Sequence, residues 1–265
     1  MLESLIQSLY FWFKGWHFAV GERLCAPIAE SLPGSISPHC PRFVDGFFTT
    51  FELVVLSLIL AFGLARLLTR LQILGPRWLK SVIGAYVYIF QGTPLLIQLW
   101  LVYFGLAQFE WIQASGLWLF LASGWWVGLL VLTLNSAAYQ TNILTGGVRN
   151  LSKGQSEGAD SLGLSERLKY HRVLFPQALR ASWPALANES ILLLKASALV
   201  STITVLDLMG HARTVFSRSY DLAVYGGAAI LYIALTALIT LLAYLIRRYG
   251  FASLPSDPWF RGLMR

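Results

Sequence analysis

Three stretches place polar or charged residues where an apolar chain would not be expected to tolerate them. The first is "PALANESILLLKASALVSTITVL" (184–206), which carries Asn188, Glu189 and Lys195 inside an otherwise apolar run. A charge at the centre of a bilayer costs about 3 kcal/mol on insertion scales, so such residues face a bundle interior or a cavity. In low dielectric a carboxylate attracts a cation strongly, which suits an ammonium-bearing ligand. Glu189 and Lys195 are six residues apart, off the three-or-four spacing that pairs side chains on one helix, so each needs another partner. Two plainer readings stay open: an ion pair between helices with no ligand, or a Lys195 near the span end with its ammonium at the interface.

The second stretch is "VIGAYVYIFQGTPLLIQLWLVYFGLA" (82–107), interrupted by Gly92 and Pro94. A proline inside a helix removes a backbone hydrogen bond and crowds the preceding turn. In lipid the freed carbonyls need protein or water partners. Thr93 and Gln98 flank the break and supply polar groups at that depth. Transporters commonly place substrate at such a broken helix. A simple kink is the alternative.

The third stretch is "EGADSLGLSERLKYHRVLFP" (157–176), which is charged yet lies between membrane-like segments. Residues 155–162 read as a short helix with Glu157 and Asp160 near its start, where acids suit the helix dipole. Gly163 breaks it. A second helix follows, capped by Ser165 and ended by Pro176. Leu168, Val173 and Leu174 add apolar knobs to charged flanks. Two short helices bent at a glycine suit a docking element for a soluble partner, or an ordinary cytosolic loop.

Catalysis has no visible machinery. The sequence has no G-x-x-x-x-G-K-[ST] phosphate loop, and its four His and two Cys are scattered, without zinc-type spacing. Energy for any transport must come from another subunit.

These residues must be positioned by membrane helices. Of 265 residues, 56% are hydrophobic and 12% charged, against about 25% charged in soluble domains. The mean hydropathy is +0.61, and Trp and Tyr, favoured at membrane interfaces, are abundant. Five apolar segments are long enough to span: 47–68, 82–107, 117–139, 184–206 and 226–246. The expected fold is all-α with five transmembrane helices. The net charge of +7 reflects Lys and Arg in loops, not a nucleic-acid partner. Arg66, Arg70, Arg77 and Lys80 fill one loop; Arg149, Lys153, Arg167, Lys169, Arg172 and Arg180 fill another; Arg247, Arg248, Arg261 and Arg265 fill the tail. The positive-inside bias puts these on the cytoplasmic side, with the N-terminus outside and the C-terminus inside. Residues 1–46 are expected to be a periplasmic or interfacial segment, with an amphipathic start and a Pro/Ser/Gly-rich loop over 21–46. It lacks the small-residue cleavage site of a signal peptide. Cys25 and Cys40 fall there, so a disulfide and two unpaired thiols are both open readings.

The spacing of 157–176 resembles the EAA loop of binding-protein-dependent ABC importer permeases: Glu-Ala-Ala, three residues, Gly, nine residues, Ile, one residue, Leu-Pro. Glu157, Gly158, Ala159, Gly163, Val173 and Pro176 occupy those positions, with Gly158, Val173 and Phe175 as departures. "QGTPLLIQLWLVYFGL" (91–106), "LTLNSAAYQTNILTGGVRN" (132–150) and "FPQALRASWPALANESILLLKASALVS" (175–201) are similar to blocks of the polar amino-acid permeases, and within them "VLDLMGHARTVFSRSYDLAVYGGAAILYI" (205–233) most resembles the permease subunits of histidine and other cationic amino-acid importers. Asn142 and Thr145 stand where the family has an acid and an arginine, so a salt bridge there is lost.

The resemblance implies a permease subunit that is not itself an enzyme and holds no cofactor, in the inner membrane. Residues 47–250 would form the permease domain and 251–265 a cytoplasmic tail. A second permease chain would complete the path. Two ABC ATPase subunits, binding ATP and Mg, would dock on the loop as a coupling helix, and an external amino-acid-binding protein would deliver substrate. The substrate path would include Gly92, Thr93, Pro94, Gln98, Asn188, Glu189 and Lys195. An ion-gradient-driven transporter or channel is the alternative; it accounts for the buried charges and not for the EAA spacing.

Overall fold

The computed structural model of the chain describes residues 15–32, 34 and 36–250, and among these the regular structure is helical, with no strand. The principal helices are α1 (Cys40–Leu74), α2 (Arg77–Gly92), α3 (Leu95–Trp100), α4 (Gly124–Arg149), α5 (Lys153–Ser161), α6 (Glu166–Lys169), α7 (Phe175–Ser197), α8 (Leu208–Ser219) and α9 (Ala223–Leu245).

Three helical stretches are long and apolar enough to cross a membrane: 37–74, 166–203 and 223–250. The α2–α3 pair, bent by 105° at its break, makes a fourth if it is one span. The segment expected at 117–139 is displaced. Its helix, α4, begins at Gly124 and runs to Arg149. Its second half carries Asn135, Ser136, Gln140, Thr141 and Thr145, all buried. These lower its hydropathy, although α4 is the most enclosed of the long helices. α9 is the opposite case: only 11% of its most apolar window is buried, and Ile230, Ile233, Leu241 and Tyr244 point outward, as lipid contact requires.

α4 packs along α1 and α7 and positions everything else. One apolar cluster joins α1, α7, α8 and α9 through Phe43, Val54, Leu194, Leu208 and Leu235. A second joins α1, α3, α4 and α7 through Leu53, Leu99, Leu132 and Leu193. A third, at the other end of α1, gathers Ala65, Leu144, Val148, Tyr170, Phe175 and Leu186. The start of α4 lies close against the segment that follows α7: a Cβ at Gly124 would fall 2.0 Å from the Ile203 carbonyl oxygen. Only glycine fits there.

Two expectations are corrected. Residues 21–46 are not a loop. Residues 15–25 are helical, Ala26–Ser31 and Ser37–His39 form 3₁₀ turns, and α1 starts at Cys40 with a proline in its first turn. Proline suits the first turn because its missing N–H has no partner there anyway. Pro176 also fails to end a helix. The chain runs from α6 through a wider π-helical turn, Tyr170–Leu174, straight into α7, with Pro176 in the first turn of α7. The wider turn shifts the hydrogen-bond register where the proline lacks its N–H.

Candidate functional site

The break between α2 and α3 is stitched together by side chains. Thr93 is extended between the two helices. The Gln98 amide donates to the carbonyls of Phe90 and Thr93, each at 3.0 Å, and to the Thr93 hydroxyl at 2.7 Å. Asn135 of α4 donates to the Phe90 carbonyl and to the Gln98 side-chain oxygen, both at 3.1 Å. The Thr93 hydroxyl donates to the Ile89 carbonyl, and Gln91 reaches the Ala138 carbonyl at 3.3 Å. Backbone groups freed by Gly92 and Pro94 are thereby satisfied from within the protein, as lipid demands. Gln98 is consumed by this role. It does not line the adjoining cavity.

That cavity has a volume of about 460 Å³ and is lined by Gln91, Gly92, Thr93, Pro94, Leu95, Asn135, Tyr139, Glu189, Leu192, Leu193 and Ala196. Glu189 is the one charged side chain among them and is 6% exposed. The Ser136 hydroxyl donates to Glu189 Oε1 at 3.0 Å, and Gln140 donates to Ser136 at 3.1 Å. The partner that Glu189 needs is thus Ser136 on α4, not Lys195. Asn188 and Lys195 are exposed on another face of α7 and do not line the cavity. A neutral polar wall with a single oriented carboxylate can hold one positive charge and accept or donate hydrogen bonds around it. Asn135, Ser136, Tyr139 and Gln140 were not singled out from sequence; on α4 they read only as residues that dilute an apolar segment.

The second expected site, residues 157–176, forms an exposed elbow. α5 begins at Lys153, so Asp160 sits in its last turn, not near its start, and the dipole argument for that acid fails. Gly163 has φ +67°. Its N–H bonds the Asp160 carbonyl, and Leu164 N–H bonds the Ala159 carbonyl, closing α5 through the left-handed conformation glycine favours. Ser165 caps α6 by accepting from Leu168 N–H at 3.4 Å. Lys169 donates to Asp160 and Glu166, each at 2.8 Å. Ala159 is buried while Glu157 and Gly158 are exposed, and Leu162 at the elbow is 78% exposed. A Cβ at Gly158 would meet nothing within 4 Å, so glycine here is sterically equivalent to the family's alanine. Val173 and Pro176 lie where the elbow enters α7. Residues 154–158, Gly-Gln-Ser-Glu-Gly, have the spacing of a serine nucleophile elbow, but they lie inside α5, not at the strand-to-helix turn that chemistry needs.

A third group of residues was not anticipated. His17 lies 2.9 Å from Glu52 and 3.6 Å from Asp45, whose other oxygen is 3.1 Å from His211. His17, Asp45 and His211 are buried. They tie residues 15–25 to α1 and α8, and Cys25 and Cys40 are joined in a disulfide beside them. Nothing in the spacing of residues so far apart could have announced this cluster. No group of His, Cys, Asp and Glu among the described residues could hold a metal ion.

A bundle with a broken helix, an enclosed carboxylate and a charged elbow defines a membrane transport subunit, and relatives of known sequence agree. Residues 54–250 match the family described as "Binding-protein-dependent transport system inner membrane component"; the chain belongs to that family. It is 44% identical over 200 residues to the arginine ABC transporter permease protein ArtM of Haemophilus influenzae, covering 75% of this chain and 88% of that one. It is 35% identical over 207 residues to the nopaline transport system permease protein NocM of Agrobacterium fabrum, covering 77% and 86%. The fold resembles the crystal structure of an amino acid ABC transporter with histidines, at TM-score 0.71 and 31% identity, over 81% of this chain and 96% of that one.

Proposed function

We propose that this chain is one of two permease subunits of an ATP-driven importer of cationic amino acids, with Glu189 holding the positive charge of the ligand. One observation carries this reading: Glu189 is the single charged residue lining the cavity at the broken helix, and Ser136 orients it. The Tyr139 hydroxyl and the side-chain oxygens of Thr93 and Asn135, whose donors serve the helix break, suit the remaining polar groups of an amino acid. Relatives named for arginine and nopaline transport support the substrate class. Asn188 and Lys195, exposed on α7, would face the second permease chain or the path between the two.

In this reading the chain spans five times. α4 joins the three long helices and the bent pair, since 26 residues reach about 39 Å and the hydrocarbon layer is about 30 Å. Residues 1–46 form an appended segment on the outside, 47–250 the permease unit and 251–265 a cytoplasmic tail. The disulfide suits the oxidising side of the membrane, and the Lys/Arg-rich loops suit the cytoplasmic one. Residues 157–176 would be the coupling element, seated in a pair of ATPase subunits that bind ATP and Mg. A binding protein would deliver substrate from outside. ATP-driven closure would move the elbow and switch which side of the membrane the cavity faces.

The test is reconstitution in liposomes with the partner permease, the ATPases and the binding protein. Arginine, lysine or histidine should stimulate ATP hydrolysis and accumulate inside. Equal stimulation by acidic and apolar amino acids would contradict the assignment.

A further inference from the structure

Lys169 occupies an unusual position for a lysine on an exposed elbow. It is 6% exposed, and its ammonium lies 2.8 Å from Asp160 in the last turn of α5 and 2.8 Å from Glu166 at the start of α6. One cation therefore ties together the two helices joined by the turn at Gly163; farther back, the Gln177 amide of α7 donates to Gln155 of α5 at 3.0 Å. The next residue, Tyr170, is 1% exposed. Its ring lies 5.6 Å from Phe175, within the cluster that also holds Ala65 of α1 and Leu144 and Val148 of α4. Consecutive residues thus grip the elbow on one side and the ends of three long helices on the other.

We propose that Lys169 is a positioning residue for energy coupling: it braces α5 against α6 so that displacement of the elbow is carried through Tyr170 to α1, α4 and α7. This rests on the reading of residues 157–176 as the element that docks on the ATPases. The physical case is stiffness. α6 runs on without a break into α7, but α5 is only nine residues long, too short to hold a fixed angle to it alone. Without the brace, a push on the exposed Leu162 would flex the turn at Gly163 before it moved the bundle. Both carboxylate partners are exposed, at 52% and 73% of the side chain, and ion pairs to solvent-exposed partners add little to stability, so the brace can be removed without unfolding the chain. Its loss should appear in coupling, not in folding.

The experiment uses the full complex in liposomes, with the cationic amino acid that most stimulates wild-type hydrolysis as probe. Import and ATP hydrolysis are measured together. Lys169→Met should co-purify with the ATPases and melt as wild type does, while the ATP spent per molecule imported rises about fivefold or more. Lys169→Arg, which keeps both contacts, should stay close to wild type. If Lys169→Met does not accumulate, Asp160→Asn combined with Glu166→Gln removes the same contacts and should give the same rise. Wild-type coupling in Lys169→Met, or in the carboxylate pair where that is the variant measured, overturns the brace. Leu162→Asp separates the two ideas: if it leaves ATPase co-purification unchanged, the docking reading itself fails, whatever Lys169 does.

Discussion

The Ser136 hydroxyl on α4 donates to the Glu189 carboxylate on α7 at 3.0 Å, and this bond fixes how a charge is presented to the cavity. A hydrogen bond to a charged group contributes about 1.5–3 kcal/mol. Ser136→Ala should therefore raise the apparent KM for the imported cation roughly tenfold, with little change in maximal rate, and Ser136→Thr should restore it. Uptake kinetics in proteoliposomes decide this. An unchanged KM in Ser136→Ala would remove Ser136 from the site.

Gln98 offers a different kind of test, because its role is to satisfy the broken helix. Gln98→Leu removes the acceptor of the buried Asn135 amide and the side-chain donor to the Thr93 carbonyl, and an unsatisfied buried polar group costs about 1–3 kcal/mol. The variant should melt several degrees lower in detergent. If its melting point matches wild type, water supplies those bonds.

Much of this was legible in the sequence, and the omissions have physical reasons. Glu189 stands out because an acid in an apolar run has few harmless explanations, and Gly92 and Pro94 because no straight span tolerates them together. The elbow at Gly163 follows from glycine's freedom at positive φ. Asn135, Ser136 and Gln140 were hidden: a polar residue buried against another helix looks the same in sequence as one that weakens a span. That is also why α4 fell short in hydropathy while packing at the centre. Pro176 misled because a π-helical turn ahead of it absorbed the break. The His17–Asp45–His211 contacts join residues from opposite ends of the chain, and no local pattern encodes that.

Asp207, outside the spans, caps α8 by accepting from Gly210 N–H at 2.8 Å. Burial raises its pKa from 3.8 to about 7, against the lowering effect of backbone hydrogen bonds and Arg213. The folded state therefore holds a proton that the unfolded chain releases near pH 4, so stability falls as pH rises from about 4 to 7. Asp207→Asn should lack this component and should gain stability relative to wild type at pH 8. Melting curves of both proteins at pH 5 and pH 8 test it. Identical pH profiles would mean that Asp207 is charged in the fold throughout.

Topology can be read with thiol chemistry. In intact cells an impermeant maleimide should label Cys25 and Cys40 only after reduction. In the Leu162→Cys variant the new thiol should stay unlabelled until the membrane is permeabilised. Labelling of that thiol in intact cells would invert the orientation.

The measurement closest to the central claim is uptake per folded transporter for Glu189→Gln. Glutamine keeps the shape and can still bond Ser136, but it carries no charge. Import of the cationic amino acid should fall at least about tenfold, a loss of roughly 1.4 kcal/mol of binding, with assembly and folded yield preserved. Wild-type uptake by the folded variant would contradict the assignment of Glu189 as the residue that holds the ligand's charge.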